Sequence, residues 1–164
     1  MAEALLRRRL DELGVAARVG SAGFLDDGLP AMDDAIATMA EDGYDLTTHR
    51  SRTVTTDMVD RADLVLTMTR QHTIELTLMA PDAWPRVFQL REIVHRAEST
   101  GRRAPEQTFS AWLTDVGSGR TRAGLIGGRQ EDDISDPVGQ PRQEYDRTKR
   151  LLDELLSKLA ALFG

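Results

Sequence analysis

The stretch that most restricts the fold is Asp63-Leu64-Val65-Leu66-Thr67-Met68-Thr69, a nearly continuous apolar run closed by polar residues at both ends. A run this short and this apolar reads as a strand covered on both faces, because a strand with one wet face would alternate. A second such run, Arg86-Val87-Phe88-Gln89-Leu90, follows a helical stretch over residues 70–80 and a turn through Pro81-Asp82-Ala83-Trp84-Pro85. Strand, helix and strand in that order predict a parallel pair with a right-handed crossover. The expected fold class is therefore α/β, a three-layer sandwich with a small parallel sheet flanked by helices.

The remaining elements fit that frame. Residues 1–14 place Leu6, Leu10 and Leu13 on one helical face, with Gly14 as the stop. Residues 17–24 read as a short strand running out into glycine. Residues 31–41 read as a helix that turns Met32, Ile36, Met39 and Ala40 to the core, with Pro30 near its start and Gly43 past its end. Residues 45–52 are a polar loop, and residues 55–62 a short capped helix. From residue 98 to 133 the signal weakens to loops, with one helical turn over 107–113 carrying Phe109 and Trp112, and this long segment is expected at the surface. Residues 143–163 form a strong helix with Tyr145, Leu152, Leu155, Leu156, Leu159 and Leu162 on its buried side. One domain, 1–164, is expected from the length.

Composition excludes several function classes. A formal net charge of -6 gives no footprint for nucleic acid. No apolar run approaches the roughly 18 residues of a membrane span, and Glu3 and Asp11 spoil a signal-peptide reading, so no membrane partner and a cytoplasmic location are expected. Zero cysteines remove disulfides, thiolate metal sites and thiol catalysis from these 164 residues. His49, His72 and His95 lack metal-ligand spacing, and Asp132, Asp133 and Asp136 lack the alternation of a calcium loop. No metal or cofactor is expected. Arg7-Arg8-Arg9 reads as a solvated helix face. Gly124-Leu125-Ile126-Gly127-Gly128-Arg129 resembles a phosphate cradle only loosely, since no strand leads in.

The first helix lacks a start signal. A helix leaves its first N–H groups unpaired, and no Ser, Thr, Asp or Asn precedes this one. The expectation is that the chain opens inside an element, with the first strand of the sheet missing from it.

Five stretches then carry a resemblance: Met1-Ala2-Glu3-Ala4-Leu5-Leu6, Ser21-Ala22-Gly23, His49-Arg50-Ser51-Arg52, Ala62-Asp63-Leu64-Val65-Leu66-Thr67-Met68 and Asp136-Pro137-Val138-Gly139. In order and spacing they resemble the low-molecular-weight protein tyrosine phosphatases, over all but residues 91–133. The resemblance implies a strand and a Cys-x5-Arg-Ser-Pro phosphate loop ahead of Met1, so the nucleophilic cysteine and the phosphate-binding arginine have no numbered counterpart here. It implies a phosphomonoester hydrolase working through a phosphocysteine intermediate, inactive as the chain stands, with a phosphorylated protein or a small phosphomonoester as substrate. Asp136 would be the general acid that protonates the leaving oxygen. Ser21 would support the phosphate loop by hydrogen bonding. From the residues alone, Asp136-Pro137 reads first as a turn, and Ser21 equally as a strand-end serine bonded to its own backbone.

Two departures bear on substrate. Val138 stands where family members with phosphotyrosine activity often carry an aromatic, and Thr69 where an acidic residue is often found. Two other functions stay open: a non-catalytic binding module that has shed its loop, and, more distantly, an arsenate reductase, which needs further cysteines.

Overall fold

The computed structural model describes residues 1–126 and 130–164; the expected glycine-rich stretch 124–129 falls partly outside them. The chain divides into two compact units, one of residues 1–54 and 136–160, the other of residues 55–135 and 161–164.

The first unit is helical. Helix α1 (Ala2–Glu12), α2 (Asp33–Ala40) and α8 (Arg142–Ala160) pack with α8 between the other two. The expected buried side of α8 is present at Tyr145, Leu152, Leu155, Leu156 and Leu159, while Leu162 lies past the end of the helix and is half-buried. Each such side chain is worth about 1.5–3 kcal/mol when fully buried. On α1 the buried residues are Leu5 and Leu10, whereas Leu13 is half-exposed, so the apolar face is rotated from the one expected. On α2, Met39 and Thr38 are buried while Met32 stands outside the helix as its exposed cap residue. Thr38 is tolerated inside because its hydroxyl donates to Asp146 at 2.7 Å.

The three arginines expected to be solvated are exposed or half-exposed, and they also act as ties. Arg7 donates to Glu3 and to the Val19 carbonyl. Arg8 donates to the carbonyls of Asp42 and Gly43 and lies 3.5 Å over the Tyr44 ring. Arg9 makes a forked bond to Asp153 at 3.0 and 3.1 Å.

The expected strand over 17–24 does not form. Among the described residues that segment makes one isolated parallel bridge, Gly23 to Thr53. Two of its carbonyls go to side chains, Val19 to Arg7 and Ser21 to Arg52, and that of Gly23 accepts the Val54 N–H at 2.8 Å. Gly20, Ala22 and Gly23 offer little side chain to bury, so a ladder would gain little there.

The second unit holds the sheet. Strands β1 (Val65–Thr67) and β2 (Val87–Gln89) are parallel, in the register Val65–Val87, Leu66–Phe88 and Thr67–Gln89. They are the only sheet strands among the described residues, two rather than the three expected. Helices pack around them, so the α/β architecture with a small parallel sheet flanked by helices is present. β2 is buried throughout, while Val65 and Leu66 of β1 are half-covered. Between the strands run α4 (Arg70–Met79) and a 3₁₀ turn over Pro81–Arg86; α3 (Thr56–Arg61) precedes β1.

Thr69, the departure without an explanation in the sequence, is the N-cap of α4: its hydroxyl accepts the His72 N–H at 3.3 Å. Thr69→Ala is expected to cost about 1 kcal/mol, read as a lower urea midpoint at unchanged slope. Asp133, weighed above as a cation ligand, accepts the Arg70 N–H at 2.7 Å and the Gln89 amide at 2.8 Å through one oxygen.

Helix α5 (Leu90–Thr100) has no counterpart in the sequence reading. It starts directly on the end of β2 at Gln89, with no side-chain cap to announce it, yet Leu90, Ile93, Val94 and Ala97 form a regular buried stripe. The segment from 98 to 133 is not merely superficial. Helix α6 (Phe109–Val116) buries Trp112, Leu113 and Val116 against the unit, and the short α7 (Arg122–Ile126) follows. Arg120 is buried, with its side chain 2% exposed; it pairs with Glu92 at 2.8 Å, donates to the Val87 carbonyl at 2.6 Å and lies 3.6 Å over the Phe88 ring.

Candidate active site

The expected site residues lie in the first unit. Helix α1 begins without a side-chain cap, so its positive end is presented to whatever lies before Ala2. Glu3, in its first turn, accepts hydrogen bonds from the Ser21 hydroxyl and from Arg7. Arg52 closes the arrangement from the other side, donating through Nε and Nη2 to the Ser21 carbonyl at 3.2 and 2.9 Å. Ser21 therefore bonds to neither its own backbone nor a ladder, but to the acidic residue at the mouth of the helix.

Sequence reasoning missed Glu3, Arg7 and Arg52. The i,i+4 spacing of Glu3 and Arg7 was the available signal; nothing in the sequence tied Arg52 to Ser21.

Burial pushes the Glu3 carboxyl up, but the hydrogen bonds from Ser21 and Arg7 and the charges of Arg7 and His49 outweigh it and hold the pKa below its ordinary 4.5. A depressed carboxylate stabilises the fold above its unfolded pKa and loses that contribution as pH falls through the native value. Glu3→Gln is thus expected to be less stable than the parent at pH 7. The two urea midpoints should converge in acid, once the pH passes below the native value.

Asp136 lies on a surface loop that enters α8. Its Oδ1 accepts the Val138 N–H at 3.0 Å, an Asx turn, and the Gln140 N–H returns to the Pro137 carbonyl at 2.9 Å. Gly139 sits at φ 76°, which favours glycine there. The turn expected from Asp136-Pro137 is present, and it leaves Asp136 exposed with its second oxygen making no hydrogen bond among the described residues.

The same carboxylate borders a pocket of about 270 Å³. Met1, the residue at the start of α1, lines that pocket together with His49, Ser51 and Tyr145. Leu29, Pro30, Met32 and Val138 give it aliphatic walls. The Tyr145 phenol is pushed up by burial and by the negative charges of Asp34 and Asp136. The pocket thus combines an accessible carboxylate, a helix N-terminus and apolar walls, the parts needed to hold an anionic group beside a proton donor.

The second unit has a larger concavity, about 650 Å³, bordered by Trp84, Arg86 and Arg120. Its cations are engaged within that unit, Arg86 with Asp60 at 3.6 Å and Arg120 with Glu92. It carries neither of the expected site residues.

The family model for low molecular weight phosphotyrosine protein phosphatases matches residues 1–107. The chain belongs to this family. Asp136 lies beyond the matched stretch. A curated phosphatase relative, the probable low molecular weight protein-tyrosine-phosphatase EpsP of Ralstonia solanacearum, is 38% identical over 93 residues, which are 57% of this chain and 62% of that one. The match therefore spans less than two thirds of the relative. Solved phosphatase structures resemble nearly the whole chain. A low molecular weight protein tyrosine phosphatase from Bacillus subtilis is 27% identical with a TM-score of 0.70, covering 97% of this chain and 84% of that one. A YwlE mutant from Bacillus subtilis is 26% identical with a TM-score of 0.71, covering 97% and 85%.

Proposed function

We propose that these residues belong to a protein tyrosine phosphatase-like phosphomonoester hydrolase whose thiolate nucleophile sits on a loop upstream of Met1. The observation that carries the reading is that Met1 and Asp136 line one pocket. A phosphate loop joined to α1 would arrive beside the Asp136 carboxylate, with the helix N-terminus supplying N–H groups to the phosphate.

In this mechanism a thiolate attacks phosphorus, the P–O bond to the leaving group breaks, and Asp136 gives its proton to the departing oxygen. The Asp136 carboxylate then takes a proton from the water that hydrolyses the phosphocysteine. Ser21 acts from behind, holding Glu3 and, with Arg52, the loop at the mouth of α1. The substrate is a phosphorylated protein or a small phosphomonoester.

The 164 residues alone contain no thiol, and this favours one second reading, a phosphatase-like binding module without catalysis. An arsenate reductase would need several cysteines and is not supported by any residue here. The test compares this chain with a form extended upstream by a strand and a Cys-x5-Arg loop, using p-nitrophenyl phosphate. The phosphatase reading expects no turnover by the first and turnover by the second. Two inactive, folded proteins that still bind phosphopeptides would favour the binding module.

A further inference from the structure

The mouth of the Asp136 pocket has a chemistry that phosphate hydrolysis does not require. Leu25, Leu29, Met32 and Val138 are 85%, 52%, 52% and 55% exposed, which is unusual for residues of this size. Three of them border the pocket, and grouped exposed aliphatics mark contact surfaces.

The stretch that carries most of them is also strongly acidic. Residues 24–36 hold four aspartates, Asp26, Asp27, Asp33 and Asp34, and no lysine or arginine. Asp27 accepts the Thr53 N–H at 2.8 Å. Asp26, Asp33 and Asp34 make no salt bridge among the described residues. The position of Asp33 and Asp34 in the first turn of α2 favours that helix, but Asp26 lies outside any helix. The cations nearby on the chain are turned onto backbone, Arg50 to the carbonyls of Thr47 and His49, Arg52 to that of Ser21.

Two further features point to a ligand. Tyr145 is 2% exposed and lines the pocket, and its hydroxyl, the accessible tip of an otherwise buried ring, makes no hydrogen bond to any described residue and is open to a ligand. The acidic stretch is also held in place before anything binds: Ser51 takes the Leu29 N–H on its hydroxyl oxygen at 2.9 Å and donates to the Asp26 carbonyl at 2.7 Å. Preorganisation of this kind lowers the cost of binding.

We propose that this aspartate-bearing aliphatic surface docks the polypeptide segment flanking the phosphorylated residue, and that it selects segments in which basic residues accompany an aliphatic one. The inference rests on the phosphatase reading for the identity of that segment. Charge complementarity sets the sign: the aspartates attract arginine or lysine and disfavour acidic flanks. The aliphatic walls take the apolar side chain, and the Tyr145 hydroxyl donates to a peptide carbonyl.

The test measures binding of unphosphorylated tyrosine peptides to this 164-residue chain by fluorescence anisotropy, so that no catalytic loop is needed. One peptide carries Arg-Leu on each side of the tyrosine, the other Glu-Leu. At low salt the basic peptide is expected to bind roughly tenfold tighter, and about 0.3 M salt should remove most of the difference. The triple variant Asp26→Asn, Asp33→Asn, Asp34→Asn should bring the ratio below about twofold. Asp26→Asn alone, which touches no helix terminus, should reduce the ratio roughly twofold and carries the test if the triple variant fails to fold. Equal binding of the two peptides, or a preference that survives the substitutions, overturns the proposal. Phosphate release from the phosphorylated peptides by the extended form separates the two ideas: preference without hydrolysis removes the phosphatase reading, and hydrolysis without preference removes the docking surface.

Discussion

In a form of the protein that carries the thiolate loop, Asp136→Ala is expected to lower kcat/KM on an alkyl phosphate by roughly 10²- to 10⁴-fold. The same substitution should change kcat/KM for p-nitrophenyl phosphate far less, while kcat falls for either substrate wherever hydrolysis of the shared phosphocysteine limits turnover. The difference follows from the leaving group: an alkoxide needs a proton as the P–O bond breaks, whereas p-nitrophenolate leaves readily without one. A hundredfold loss is about 2.7 kcal/mol of transition-state stabilisation. Asp136 is suited to that role by exposure and geometry, since one oxygen is fixed by the Val138 N–H and the other is left for substrate. Because the carboxylate is at the surface, the substitution should leave the unfolding free energy from urea titration within about 0.5 kcal/mol of the parent. Equal losses of kcat/KM on both substrates would place Asp136 in phosphate binding or folding rather than in protonation of the leaving oxygen.

Trp112→Ala is expected to produce the largest loss of stability of any substitution considered, about 3–5 kcal/mol. Trp112 is 1% exposed on α6 and lies edge-on to Phe163 at 5.6 Å, with Phe109 at 5.7 Å. Its indole N–H donates to the Gly101 carbonyl at 3.0 Å, so removal leaves both a cavity and an unpaired acceptor. The cluster also anchors the end of the chain, since Arg103 donates from its backbone to the Leu162 carbonyl at 2.9 Å and from Nε to that of Phe163 at 2.5 Å. A typical domain has only about 5–15 kcal/mol in hand, so the variant should be largely unfolded near 37 °C. Chemical denaturation followed by tryptophan-independent circular dichroism measures the change. A loss below about 1 kcal/mol would show that the 98–133 segment is the superficial cover its sequence suggested.

The elements legible in the sequence were those with a boundary signal or a complete stripe. The apolar run at Val65-Leu66-Thr67 gave β1, Thr55 marked α3, and the leucine spacing gave α8. Helix α5 was hidden because Gln89 ends a strand and begins a helix with no capping side chain between them. The strand expected over 17–24 failed for the opposite reason, since glycine and alanine over most of residues 20–23 left little to bury and the segment makes one isolated bridge. At the site, family order singled out Asp136 and Ser21, but the partners of Ser21 were invisible: Glu3 and Arg52 lie 18 residues before it and 31 after it. Charged residues that stitch distant loops carry no periodicity, which is also why Arg7, Arg8 and Arg9 were taken for a solvated face.

The proposed mechanism places a thiolate just ahead of α1 and beside Asp136. Its most direct test is rapid acid quench of the protein purified from its own cells during turnover of p-nitrophenyl phosphate, followed by intact and peptide mass analysis. The account predicts a transient gain of one phosphoryl group, located on a cysteine in a segment preceding Met1. A protein that folds, contains no such cysteine and gains no phosphoryl group would contradict it.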